Sequence, residues 1–115
     1  MAAIELVLDC KDVDAQATFW AAALDYVPRG AAGQYRRLMP ADNRPAPPLI
    51  LQGVLEARVA KNRMHLDVIA DDIEAESARL EALGARRVLD PIEEHGHRWI
   101  PMTDPEGNEF CVCAC

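Results

Sequence analysis

Two stretches of residues each recur in this chain, sixty and fifty-nine positions further on. Asp12-Val13-Asp14-Ala15 returns as Asp72-Ile73-Glu74-Ala75, and Ala23-Leu24-Asp25-Tyr26 returns as Ala82-Leu83-Gly84-Ala85. Repetition at such a distance means that one supersecondary unit has been used twice. Each copy reads as strand, helix and further strands. In the first copy, residues 4–10 alternate as a strand, and Asp12 caps a helix carrying Val13, Ala17, Trp20, Ala21 and Leu24 at helical spacing. Residues 28–33, between Pro28 and Gly33, read as a break, and 34–39 and 49–54 as strands on either side of a proline-rich loop.

In the second copy, residues 64–70 read as a strand, and Asp72 caps a helix with Ile73, Ser77, Leu80 and Leu83 on one face. Gly84 falls where a left-handed residue ends a helix. Strands are expected at 86–90, 97–102 and 109–114, the last two joined by the turn Asp104-Pro105-Glu106-Gly107-Asn108. The expectation is an α+β fold: two βαβββ modules, residues 1–57 and 61–115, forming one domain over 1–115. At 115 residues the chain has the commonest size for one domain.

Charge narrows the partners. The net charge of −7 repels phosphate backbones, and no basic stripe interrupts it, so nucleic acid is not an expected partner. No apolar run approaches the ~20 residues needed to span a bilayer, which argues against a membrane. The start, Met1-Ala2-Ala3-Ile4-Glu5, lacks the basic and apolar regions of a signal peptide. Cys10, Cys111, Cys113 and Cys115 are too unevenly spread for a disulfide framework, so a cytoplasmic setting is expected.

Several segments together carry a family resemblance. Asp12, Phe19-Trp20 and Ala23-Leu24, then His65-Leu66-Asp67, then Leu80-Glu81-Ala82-Leu83-Gly84-Ala85, then Asp104-Pro105-Glu106-Gly107-Asn108 resemble the vicinal-oxygen-chelate superfamily of glyoxalases, bleomycin-resistance proteins and extradiol dioxygenases, in its glyoxalase-like branch. Asp25 departs from it, standing where the family usually has glycine. The resemblance implies that each unit curls a mixed sheet into half a barrel, with helices outside and a cup for a small molecule. It also implies a homodimer and, in the enzymes, a divalent metal held by four cup-facing side chains.

Strand alternation then sorts residues by face. Ile4, Leu6, Leu8 and Cys10 are expected in the core, and Glu5, Val7 and Asp9 in the cup. Leu66, Val68 and Ala70 pack inward, leaving His65, Asp67 and Ile69 opposite. Phe110, Val112 and Ala114 pack inward, leaving Glu109, Cys111 and Cys113, while Gln52 faces the cup beside inward Leu49 and Leu51. The cup is thus expected to be acidic and to carry a histidine.

Transferring the family's metal slots gives Glu5, Gln52, His65 and Cys111, for zinc, nickel, iron or manganese. Cys111 is the second departure, because metal-binding members usually carry glutamate there. Asp67 or Glu109 would move a proton, and Trp20, Trp99, Asp9 and Cys113 would contact the ligand. Two functions remain open: a metal-free protein that binds a small molecule, or a metal-dependent lyase, isomerase or dioxygenase acting on a small oxygenated substrate.

Overall fold

The computed structural model describes residues 3–62 and 64–114. Met1, Ala2, Arg63 and Cys115 lie outside the described residues, and so does any reading of the Cys115 thiol. The chain divides into two compact units, Met1–Ala57 and Arg58–Cys115.

The first unit runs β1 (Leu6–Cys10), α1 (Val13–Leu24), β2 (Tyr26–Ala32), β3 (Tyr35–Pro40) and β4 (Leu49–Gly53). Its sheet has the order β1-β4-β3-β2. The β1–β4 pair is parallel and the other pairs are antiparallel, so the sheet is mixed. Asp12 starts α1 by accepting a hydrogen bond from the Ala15 backbone N–H at 3.0 Å. Asp25 ends it in the left-handed region, at φ 55°. The helix packs Phe19, Trp20 and Ala23 onto a sheet face carrying Leu38, Leu49 and Leu51, all buried.

The second unit runs β5 (Leu66–Ile69), α2 (Ile73–Ala82), β6 (Arg86–Arg87), β7 (Ile92–Glu94), β8 (His97–Thr103) and β9 (Glu109–Ala114). Its sheet has the order β5-β9-β8-β6, with β7 also on β8, and again one parallel pair, β5–β9. Asp72 repeats the cap on Ala75 N–H, at 3.0 Å. The end of α2 is a Schellman turn: Ala85 N–H donates to Leu80 C=O and Gly84 N–H to Glu81 C=O, both at 3.0 Å, with Gly84 at φ 117°. Leu80, Ile100, Phe110 and Val112 are at most 1% exposed and form this unit's core. Burying each such side chain contributes about 1.5–3 kcal/mol. Neither sheet closes into a barrel.

Four expectations need correcting. Residues 28–33 are not a break, because most of them lie in β2, an edge strand that tolerates Pro28 and Gly30. A bulge between Pro28 and Ala31 absorbs them, with Gly30 at φ 134°. The strand expected at 86–90 is only two residues long. A second short strand, β7, turns into β8 through His95 (φ 51°) and Gly96 (φ 79°), the paired positive dihedrals of a type I′ hairpin. Ile4 is 69% exposed and precedes β1 rather than packing in the core. Trp20 is 1% exposed and lies edge-on to Phe19 with ring centroids 5.0 Å apart, so it serves the core and presents no face to a ligand.

Candidate functional site

In the second unit the helix takes one face of the sheet, and the side chains that carry chemistry occupy the other. Phe110 and Val112 of β9 are buried, which turns Glu109, Cys111 and Cys113 the opposite way. The β5–β9 ladder sets Asp67 directly opposite Cys111 and Ile69 opposite Cys113. His65 stands just before β5 on the same side as Asp67, and its Nε2 lies 3.3 Å from Asp67 Oδ1. One ligand atom from each of His65, Asp67 and Cys111 falls within 4.8 Å of the others.

These groups line a cavity of about 580 Å³, together with Trp99, Pro101 and Cys113. Its size suits a small organic molecule. Trp99 gives a flat apolar wall, and His97 reaches the same cavity from the start of β8.

The cavity's charges are balanced, which corrects the expected acidic cup. Glu109 is ion-paired with Arg58 and also accepts the Asn62 backbone N–H at 2.9 Å. Lys61 and Arg98 line the cavity alongside Asp67 and Glu109. Burial pushes the Cys111 thiol above its ordinary pKa, and the Asp67 carboxylate adds to the shift, while Lys61 opposes it. The free thiol therefore keeps its proton near neutral pH.

The metal implied by the resemblance finds partial support here. An imidazole nitrogen, a carboxylate oxygen and a sulfur at these separations suit a divalent ion of the zinc type after small side-chain rotations, since bonds of about 2.0–2.3 Å put donors under about 4 Å apart. Of the four residues expected to hold an ion, this grouping contains His65 and Cys111 and adds Asp67, which was expected to move protons instead.

Glu5 and Gln52 belong to the first unit. There Glu5 pairs with Arg37, at 3.3 Å, beside a cavity of about 560 Å³ that Gln52, Tyr35 and Val7 also line. Asp9 is exposed and stands opposite Gln52 in the β1–β4 ladder. The two ladders can be matched position by position. Glu5 corresponds to His65, Val7 to Asp67, Ile50 to Cys111 and Gln52 to Cys113. Gln52 therefore stands one pleat, roughly 6–7 Å, beyond the position matching Cys111, where the first unit has the apolar Ile50.

Sequence reasoning missed Arg37, Arg58, Lys61 and Asn62. Arg37 was within reach of the alternation argument, because Leu38 is buried and its neighbour must face the other way. Arg58, Lys61 and Asn62 lie between elements, where no periodicity reports a direction.

Residues 5–113 match the family described as glyoxalase-like domain. No curated protein matches the chain by sequence. Solved structures share the fold. A glyoxalase/bleomycin resistance protein/dioxygenase family enzyme from Burkholderia phytofirmans superposes with a TM-score of 0.76 at 13% identity, covering 96% of this chain and 95% of its own. A glyoxalase/bleomycin resistance protein from Albidiferax ferrireducens gives 0.69 at 18% identity, covering 96% of each. The fosfomycin resistance protein FosX from Listeria monocytogenes gives 0.80 at 14% identity, covering 99% of this chain and 90% of its own.

Proposed function

The chain belongs to the glyoxalase-like domain family, and from that premise we propose that it binds a small organic molecule in the cavity of its second unit. The observation that carries this reading is the wall itself: Trp99 on one part, and His65, Asp67 and Cys111 gathered on another. A ligand with an aromatic or apolar body stacks on Trp99 and turns a hydrogen-bonding or cationic group toward Asp67 and His65. Cys113 contacts it as a small apolar filler. Asp9 and Gln52 serve the corresponding face of the first unit. The two units act as one domain made by duplication, the protein works in the cytoplasm, and two chains associate as a homodimer.

Calorimetric titration of the intact protein with small aromatic and oxygenated compounds tests the binding reading. The expected result is a ligand whose affinity falls at least tenfold in both Trp99→Ala and His65→Ala while the fold is kept. Binding unchanged in both variants would remove this cavity from consideration. Sedimentation velocity at micromolar concentration tests the assembly, and a strictly monomeric boundary would overturn it.

A second reading is favoured by the nitrogen, oxygen and sulfur donors held together on one wall. In this reading the protein is a divalent-metal-dependent lyase, isomerase or dioxygenase acting on a small oxygenated substrate. The ion, when bound, supplies Lewis-acid polarisation of substrate oxygens. His65, Asp67 and Cys111 hold it, and Glu109 is then the carboxylate left to accept or return a proton at the substrate. Activity that is lost with chelator and restored by metal would select this reading over the first.

A further inference from the structure

The geometry points to a zinc-type site complete within the second unit, built from His65, Asp67 and Cys111 and independent of Glu5 and Gln52. The inference rests on the metal-dependent reading above and goes beyond it in confining every protein donor to one unit and in the kind of ion.

Three observations meet at this point. The first is proximity: the three donor atoms lie within 4.8 Å of one another, and the residues come from two neighbouring strands of one sheet. The second is register. Asp67 and Cys111 are direct partners in the β5–β9 ladder, so the backbone fixes their approach, and His65 is two residues before Asp67 on the same face. The third is the state of the alternatives. Glu5 is engaged by Arg37 at 3.3 Å, and Glu109 is engaged by Arg58 and the Asn62 N–H. Asp67 has only the His65 ring, at 3.3 Å, as an ion-pair partner among the described residues, and that ring is itself a donor.

Chemistry then selects the ion. A sulfur donor beside an imidazole suits zinc or cobalt and disfavours magnesium and manganese, which prefer oxygen donors. Three protein donors leave a fourth position of a tetrahedral ion open, and His65 and Asp67 are each about half exposed toward the cavity side. The ion takes the thiolate, so loading releases the Cys111 proton to solvent. Cys113 adds no donor to the same ion, because alternate residues on one strand stand about 6–7 Å apart.

The test loads the intact purified protein, stripped with chelator, with zinc or cobalt alone, and follows stoichiometry by elemental analysis and sulfur ligation by the near-ultraviolet thiolate-to-cobalt absorption. One ion per chain is expected, with that absorption present. It should vanish in Cys111→Ser, and zinc affinity should fall in His65→Ala, Asp67→Asn and Cys111→Ser by more than the roughly 100-fold that an outer-shell loss causes. Glu5→Gln and Gln52→Ala should leave affinity unchanged, and circular dichroism establishes that each variant is folded. If Glu5→Gln or Gln52→Ala weakens binding while Asp67→Asn does not, the metal-dependent reading stands and the second-unit site is overturned. If the unaltered protein takes up neither ion, the metal-dependent reading falls with it.

Discussion

Asp67 stands directly across the β5–β9 ladder from Cys111, and its negative charge helps keep the proton on that thiol. Burial is the larger cause and the carboxylate the second. A thiol whose pKa is raised on folding holds its proton more tightly in the folded state. Its contribution to stability is therefore complete below the ordinary thiol pKa and declines as pH rises through and above it.

Two outcomes follow for Cys111. Alkylation by iodoacetamide, measured in a Cys113→Ser, Cys115→Ser background, should be slower at neutral pH than for an unhindered thiol and should quicken with rising pH. Asp67→Asn should shift this rate profile toward lower pH, because one of the two raising causes is gone. A profile that does not move would show that the carboxylate exerts no influence on the thiol.

Asp104 holds together the turn before β9. Its carboxylate accepts the Glu106 and Asn108 backbone N–H groups at 2.9 and 3.0 Å and the Asn108 amide at 3.0 Å, while 2% exposed. Asp104→Ala removes the carboxylate that these buried and partly buried donors share and should cost about 3 kcal/mol in urea denaturation. A loss below about 0.5 kcal/mol would mean that the turn forms without this carboxylate.

Asp25 occupies the left-handed position that Gly84 occupies at the end of the other helix. Glycine adopts that conformation without the steric cost a side chain brings. Asp25→Gly should therefore raise stability by about 0.5–1 kcal/mol, read from thermal or urea unfolding. Any destabilisation would contradict the assignment.

Glu109 ties the segment from Arg58 to Asn62 to β9. Glu109→Gln should speed hydrogen exchange at the Asn62 amide several-fold and cost about 1 kcal/mol or less, since the pair is partly exposed. Unchanged exchange at Asn62 would show that the carboxylate does not hold this segment.

Much of the architecture was legible in local pattern. Asp12 and Asp72 each cap a helix because a short acidic side chain before an apolar period has one good partner, the N–H three residues on. The alternation of Phe110 and Val112 with Glu109, Cys111 and Cys113 was enough to turn the Cys111 and Cys113 thiols toward the cavity. What escaped was set by pairing between distant segments. Pro28 and Gly30 look like a break until β3 supplies the partner strand that accepts them. Arg58 helps to balance the charge of the second-unit site from 51 positions away from Glu109, and in the first unit Arg37 meets Glu5 across 32 positions. Gln52 was grouped with Cys111 among the expected metal donors, whereas the two ladders match it to Cys113.

The interrupted outer strands bear on how the chain behaves at high concentration. In the first unit β2 carries a proline without an N–H, a charged Arg29 and a bulge. In the second, the border opposite β5 is split into β6 and β7, with Pro91 between them. An unbroken outer strand is a template on which other molecules can add in register and grow into fibrils. Here each offers at most a few consecutive open positions before the geometry changes. Straightening either one, for example by replacing Pro28 and Gly30 together with valine, would trade a self-limiting border for a seed.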